Sequence, residues 1–169
     1  MAKHDQVVAS FRRKVDVEEY ARIRELYKAH SAAEDARDVP GLLVTLTSDC
    51  VYEIAQTGHR WTGHTGAARF YNELLGAFPD LVFDLRHIVI GPQGVWEEAD
   101  VHGTWRRPWL GLHPSGGLIG FPVQILFPWD AAAGLFSGER VFIDNQVLLR
   151  ATAPVLENRS ARGGGSRRG

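Results

Sequence analysis

Thiols, long apolar runs and an excess of either charge are scarce in this 169-residue chain. Its one cysteine, Cys50, excludes an internal disulfide and a cysteine-rich zinc site. A catalytic thiol needs an activating base, and none lies near Cys50 in sequence, so it reads as a small buried thiol under a strand. No apolar run approaches the roughly 20 residues needed to span a bilayer. The opening segment MAKHDQVVASFRRKVDVEEY holds no apolar core followed by a small-residue cleavage site. A cytoplasmic protein without a membrane partner is therefore expected. The formal net charge of −1 supplies no field toward nucleic acid, which is excluded as an expected partner. His59 and His64 lie five apart across glycines, too loose a spacing for a metal site. GGGS lies in the tail and opens no helix, so no phosphate loop is read, and there is no G-x-S-x-G elbow.

What is present fits one globular domain: 44% hydrophobic and 23% charged residues in a length that can bury a core unaided. Residues 1–15 read as a flexible N-terminal segment, 16–152 as a single domain, and 153–169 as a disordered Gly/Ser/Arg tail with almost nothing to bury. Tyr20, Ile23, Leu26 and Tyr27 fall at helical spacing after Asp16, a natural N-cap, with Glu18 and Glu19 in the first turn. VPGLLVTLTSD reads as a short second helix with Pro40 near its start. CVYEIAQ reads as a short strand, and TGHRWTGHTG as a turn and strand. A third helix carries Ala67, Phe70, Leu74 and Phe78 on one stripe and stops at Pro79. The period then switches to two. LVFDLRHIVIGP, GVWEEADVHGTWRRP, GLIGFPVQILFPW and LFSGERVFIDNQVLL read as four long strands in an antiparallel meander. Helices followed by such a meander predict an α+β fold: a curved, four- to six-stranded, mostly antiparallel sheet wrapped around three N-terminal helices. The curl leaves a cavity between sheet and helices.

The combination W-x-G-H-x-G, AFPDL, G-x-x-P-S-G and GER-x-x-x-D, between about Tyr20 and Arg150, resembles the SnoaL-like polyketide cyclases of the nuclear-transport-factor-2-like superfamily. The resemblance implies a cone-shaped fold, a homodimer, no metal, no organic cofactor, and a hydrophobic small-molecule substrate inside each cone. Aldol-type cyclases of this group use an aspartate on the last strand, helped by a histidine on the strand before. Residue-by-residue matching puts Val141 at the first position and about Ile125 at the second, and neither can move a proton.

Glu139 lies two residues before Val141 and shares its face, so it enters the pocket if Val141 does. A desolvated carboxylate there would suit acid–base work; the alternative is a rim glutamate paired with an arginine. In VWEEADVHGTWRR one face carries Trp96, Glu98, Asp100, His102 and Thr104, the other Val95, Glu97, Ala99, Val101, Gly103 and Trp105. If the polar face looks inward, Asp100 orients His102 as an acid–base pair opposite Glu139, with Glu98 beside them. If it looks outward, Val95, Ala99 and Val101 build the core. Trp96, an indole otherwise exposed, favours the inward reading, although a dimer interface would also cover it. Tyr52 could polarise a ligand oxygen from the first strand. His64 would cap the third helix or touch ligand, and His87 shares an apolar face with Phe83 and Leu85. Asp144 reads as fixing backbone at a strand end. Trp61, Phe70, Trp105 and Phe121 are among more aromatics than a small core needs, which fits a flat, apolar ligand. The expected function is a cofactor-free cyclase or isomerase of polyketide- or terpenoid-type natural-product biosynthesis. Glu139, His102, Asp100 and Tyr52 would be its catalytic groups. The alternatives are a non-catalytic ligand-binding or oxygenase-assisting protein, or an epoxide hydrolase or dehydratase on the same fold.

Overall fold

In a computed structural model, which describes residues 3–14, 16–114 and 116–160, the switch in hydrophobic period becomes a switch from helices to sheet. Helix α1 spans Lys3–Arg12, inside the stretch expected to be flexible. Helix α2, Val17–Asp35, starts where Asp16 accepts hydrogen bonds from the backbone N–H groups of Glu18 and Glu19, at 2.8 and 3.1 Å. Its buried stripe runs Glu19, Ile23, Tyr27 and His30. Helix α3, Val39–Leu43, has Pro40 in its first turn, where a missing N–H costs nothing. Helix α4, Gly63–Ala77, buries Ala67, Phe70, Tyr71, Leu74 and Ala77 and ends at Phe78, just before Pro79.

Six strands form one sheet: β1 Leu46–Ile54, β2 His59–Thr62, β3 Val82–Gly91, β4 Gly94–Thr104, β5 Leu118–Asp130 and β6 Leu135–Ile143. Their order is β2-β1-β6-β5-β4-β3. Every neighbouring pair is antiparallel except β1 and β6, whose parallel pairing sets Tyr52 beside Glu139. That pairing depends on Gly138, at φ +120°. A Cβ there would lie 2.0 Å from the Val51 carbonyl oxygen, so only glycine lets β6 come this close to β1. The curved sheet and the helical layer enclose one apolar core that includes Ile23, Leu42, Phe70, Phe121 and Phe127.

The last strand is shorter than its sequence predicts. It stops at Ile143, and Asp144 accepts the backbone N–H of Gln146 at 2.9 Å, opening helix α5 at Asn145–Ser160. Leu148, expected on the strand, is fully buried from this helix instead. The helix takes in residues 153–160 of the expected tail, and 161–169 lie outside the described residues.

Candidate active site

Strand β4 decides which groups reach the interior. Burial alternates along it, and the inward residues are Val95, Glu97, Ala99, Val101 and Gly103. Trp96, Glu98, Asp100 and His102 therefore lie on the outer face, against the expectation that they line the pocket. Three apolar side chains on one face outweigh a single indole on the other, because a one-residue slip would expose all three. On the outer face Asp100 pairs with Arg86 of β3, not with His102. The nearest carboxylate to His102 is Asp84, at 3.8 Å. Such exposed pairs contribute about 0–1 kcal/mol. Trp96 is 38% exposed and leans on Phe142, ring centroids 5.4 Å apart.

His87 fails for a different reason. The pairing of β3 with β4 shifts between Leu85 and His87, so Arg86 is an extra residue. Before this bulge Phe83 and Leu85 oppose Val101 and Ala99 on the inner face. After it His87 opposes Glu98 on the outer face, with Nδ1 3.2 Å from Glu98 Oε2. One inserted residue reverses the side-chain alternation for everything downstream.

Glu139, only 3% exposed, is the centre of the interior polar cluster. Its Oε1 accepts from the Tyr52 hydroxyl at 2.9 Å and from the Tyr71 hydroxyl, and lies 3.0 Å from His30 Nε2. Behind it, the Thr45 hydroxyl donates to the Leu42 carbonyl at 2.6 Å. Thr45 Oγ1 is thereby left to accept from His30 Nδ1, also at 2.6 Å. With Nδ1–H committed to Thr45, His30 turns Nε2 toward both Glu139 Oε1, at 3.0 Å, and the Tyr71 hydroxyl, at 3.1 Å. Among the described residues no partner takes Glu139 Oε2. The phenols stay neutral donors: burial first, and the Glu139 charge next, push Tyr52 and Tyr71 well above the ordinary tyrosine range.

This cluster borders a cavity lined by Glu139, Val141, Ile125, Phe70, Phe121 and Trp109, with Glu34 and Phe83 toward its outer end. The cavity is narrow. Its volume of about 20 Å³ leaves room for about one water. Val141 and Ile125 oppose each other across β5 and β6, and both face the cavity, as the shared face of Val141 and Glu139 predicts.

Two further carboxyls reach the interior. Burial raises Glu97 from 4.5 to about 7, although it accepts a hydrogen bond from the Tyr27 hydroxyl. Glu34 is raised well above the usual carboxylate range, first by desolvation and then by the charges of Glu139 and Glu97. Sequence reasoning missed His30, Glu34 and Glu97 as site groups, and it counted Tyr71 only among the aromatics of the pocket wall. For the helical pair the signal was available, since Ile23, Tyr27, His30 and Glu34 recur at spacings of three and four on α2.

Of the other expected binding residues, Phe70 and Phe121 line the cavity. Trp61 is buried behind Phe70, centroids 5.1 Å apart. Trp105 is buried away from the cavity, stacked on Phe78, and its Nε1–H donates to the Arg107 carbonyl at 2.7 Å. His64 sits in the first turn of α4 with Nε2 3.2 Å from the Leu46 carbonyl oxygen, and faces an outer groove. Burial raises the Cys50 thiol, which suits a packed rather than a reactive cysteine. Among the described residues, no group of three or more His, Cys, Asp or Glu is placed to hold a metal, and no helix is long and apolar enough to cross a membrane.

The model of the SnoaL-like domain family matches residues 23–128. No curated protein matches the sequence. Among solved structures the chain is similar to a proposed SnoaL-like polyketide cyclase from Jannaschia sp. CCS1, at 21% identity and a TM-score of 0.67 over 84% of this chain and 96% of that one. It is also similar to a proposed polyketide cyclase from Pseudomonas putida KT2440, at 24% identity and a TM-score of 0.63 over 77% and 97%. AclR, a proposed hydroxylase from Streptomyces galilaeus, matches at 19% identity and a TM-score of 0.64 over 79% and 97%. At these identities the likeness is one of fold, and the differing activities proposed for these neighbours leave function to the site itself.

Proposed function

Because this chain belongs to the SnoaL-like domain family, we propose that it is a cofactor-free acid–base enzyme that closes or rearranges a ring in an apolar, carbonyl-bearing intermediate of polyketide or terpenoid type. The observation that carries this reading is the Glu139 carboxyl. One oxygen is held by Tyr52, Tyr71 and His30, and the other is left without a partner on the wall of an apolar cavity. A carboxylate held by three partners on one side is oriented to take a proton on the other. His30 supplies from α2 the imidazole that related cyclases place on the penultimate strand, and Glu139 replaces their aspartate from two residues earlier on the last strand. His102 and Asp100, on the outer face, have no part in this reading.

The substrate is neutral. No lysine or arginine lines the cavity wall, so nothing there would neutralise an anion taken out of water. Binding has to widen the cavity, and the cleft shared by Glu34, Leu81 and Phe83 is the route in. The expected homodimer would form through the outer sheet face, covering Trp96, and a cytoplasmic location belongs to the same reading.

A second reading has an observation in its favour. Val141 and Ile125 put hydrocarbon where related cyclases carry their acid and base, as a ligand-binding or oxygenase-assisting protein would. Deuterium uptake at C2 of 1-tetralone, a neutral bicyclic enolisable ketone, separates the two. The enzyme reading expects exchange above the solvent background, reduced about 10²-fold or more in Glu139→Gln. Quenching of Trp109 by the ketone with no exchange above background would leave the binder.

A further inference from the structure

Glu34 lies one helical turn beyond His30 on α2, so the two share the inward stripe of that helix. It lines both the inner cavity and the outer cleft of Asp35, Arg37, Leu75 and Val82, and so stands where the two meet. The Arg37 guanidinium, which could have neutralised it, donates instead to the Leu81 carbonyl at 3.1 Å. Among the described residues no hydrogen bond or ion pair reaches the Glu34 carboxyl. The titratable groups around it are Tyr27, His30, Asp35 and Arg37 on or just beyond its own helix, Tyr52 from β1, Tyr71 from α4, Glu97 from β4 and Glu139 from β6. None of the carboxylates favours a second negative charge.

A second polar atom of the cavity wall is also unspent. Trp109 is 4% exposed, lines the cavity, and its Nε1–H has no partner among the described residues. A buried donor left alone costs about 1–3 kcal/mol, and a ligand oxygen would remove that cost. The cavity therefore offers a base at its inner end and unspent donors around the rest of its wall.

We propose that Glu34 is the second reacting group of this site, the acid that protonates a ligand carbonyl oxygen at the cavity mouth while Glu139 removes a proton from the adjacent carbon. The inference rests on the acid–base reading above. In the step, Glu139 Oε2 takes the α-proton, the C–H electron pair forms the enol double bond, and the carbonyl electron pair moves to oxygen. That oxygen takes the Glu34 proton. Reversal returns both protons, and when the enol carbon attacks a second carbonyl, the same donor neutralises the new alkoxide. Nothing is oxidised or reduced. Two carboxyls whose surroundings separate them into acid and base is a recurring solution to this chemistry.

The test again uses 1-tetralone. Glu34→Gln is expected to melt no lower than the wild type, to lower kcat for exchange about 10²-fold with KM little changed, and to lose the fall in rate at alkaline pH. In protein labelled with ¹³C-glutamate, the resonance missing from Glu34→Gln should titrate well above the ordinary value of about 4.3. Exchange in Glu34→Gln at the wild-type rate with its alkaline limb intact, while Glu139→Gln is inert, would overturn the role of Glu34 and leave the acid–base reading standing. Exchange unchanged in Glu139→Gln as well would remove both. A Glu34 resonance titrating in the ordinary range would by itself overturn the assignment.

Discussion

Glu97→Gln tests the face of β4 on which the whole site depends. Glu97 is 5% exposed, opposite Ile125 and hydrogen-bonded by Tyr27. Its carboxyl is raised from 4.5 to about 7, with desolvation as the main cause. A carboxyl with a higher pKa folded than unfolded binds its proton more tightly in the folded state. Its contribution is therefore complete below the unfolded value and declines as pH rises through the window from 4.5 to about 7. At about 1.4 kcal/mol per pH unit, the wild type should lose roughly 3 kcal/mol of stability across that window on this group alone. Glutamine keeps an oxygen for the Tyr27 hydroxyl but cannot ionise. The variant should match the wild type near pH 5 and exceed it by roughly 3 kcal/mol near pH 8. Glu34 adds a term of the same sign to both proteins, smaller in the variant because the Glu97 charge that helps raise it is gone, so the difference between them reports Glu97 together with that coupling. Urea unfolding at pH 5, 6, 7 and 8 measures it. Parallel pH profiles for the two proteins would mean that Glu97 titrates in water and that β4 presents its other face to the core.

The remaining predictions concern the cluster, the β1–β6 contact and the outer face. Tyr71→Phe removes one of three partners from Glu139 Oε1 at nearly constant volume. A hydrogen bond to a charged group is worth about 1.5–3 kcal/mol, so thermal unfolding should fall by roughly 3–10 °C, and an unchanged melting temperature would refute the cluster. Gly138→Ala brings a Cβ to within 2.0 Å of the Val51 carbonyl oxygen at φ +120°. It should cost roughly 2–4 kcal/mol in chemical denaturation and weaken ligand quenching of Trp109, because Glu139 moves with the strand. His102→Ala and Asp100→Asn, on the outer face, should each change stability by no more than about 0.5 kcal/mol and leave 1-tetralone exchange unaltered.

Residues close in sequence settled a good deal of this protein before any tertiary contact was known. Asp16 as a cap, Pro79 as a stop, the helical stripes and the switch to period two are local properties of the chain, and they led to an α+β fold with a curved sheet. The shared face of Glu139 and Val141 followed from strand geometry alone. Only the tertiary structure decided which face of β4 is inside, since both faces satisfy the same alternation and the choice is made by what packs against them. It also decided the fate of His87, because a bulge at Arg86 is a property of two strands in register and not of either one. The partners of Glu139 come from His30 and Tyr71, 109 and 68 residues away. Secondary-structure periodicity states which side chains share a surface, whereas proton chemistry needs groups from different surfaces within hydrogen-bonding distance, and only folding brings those surfaces together.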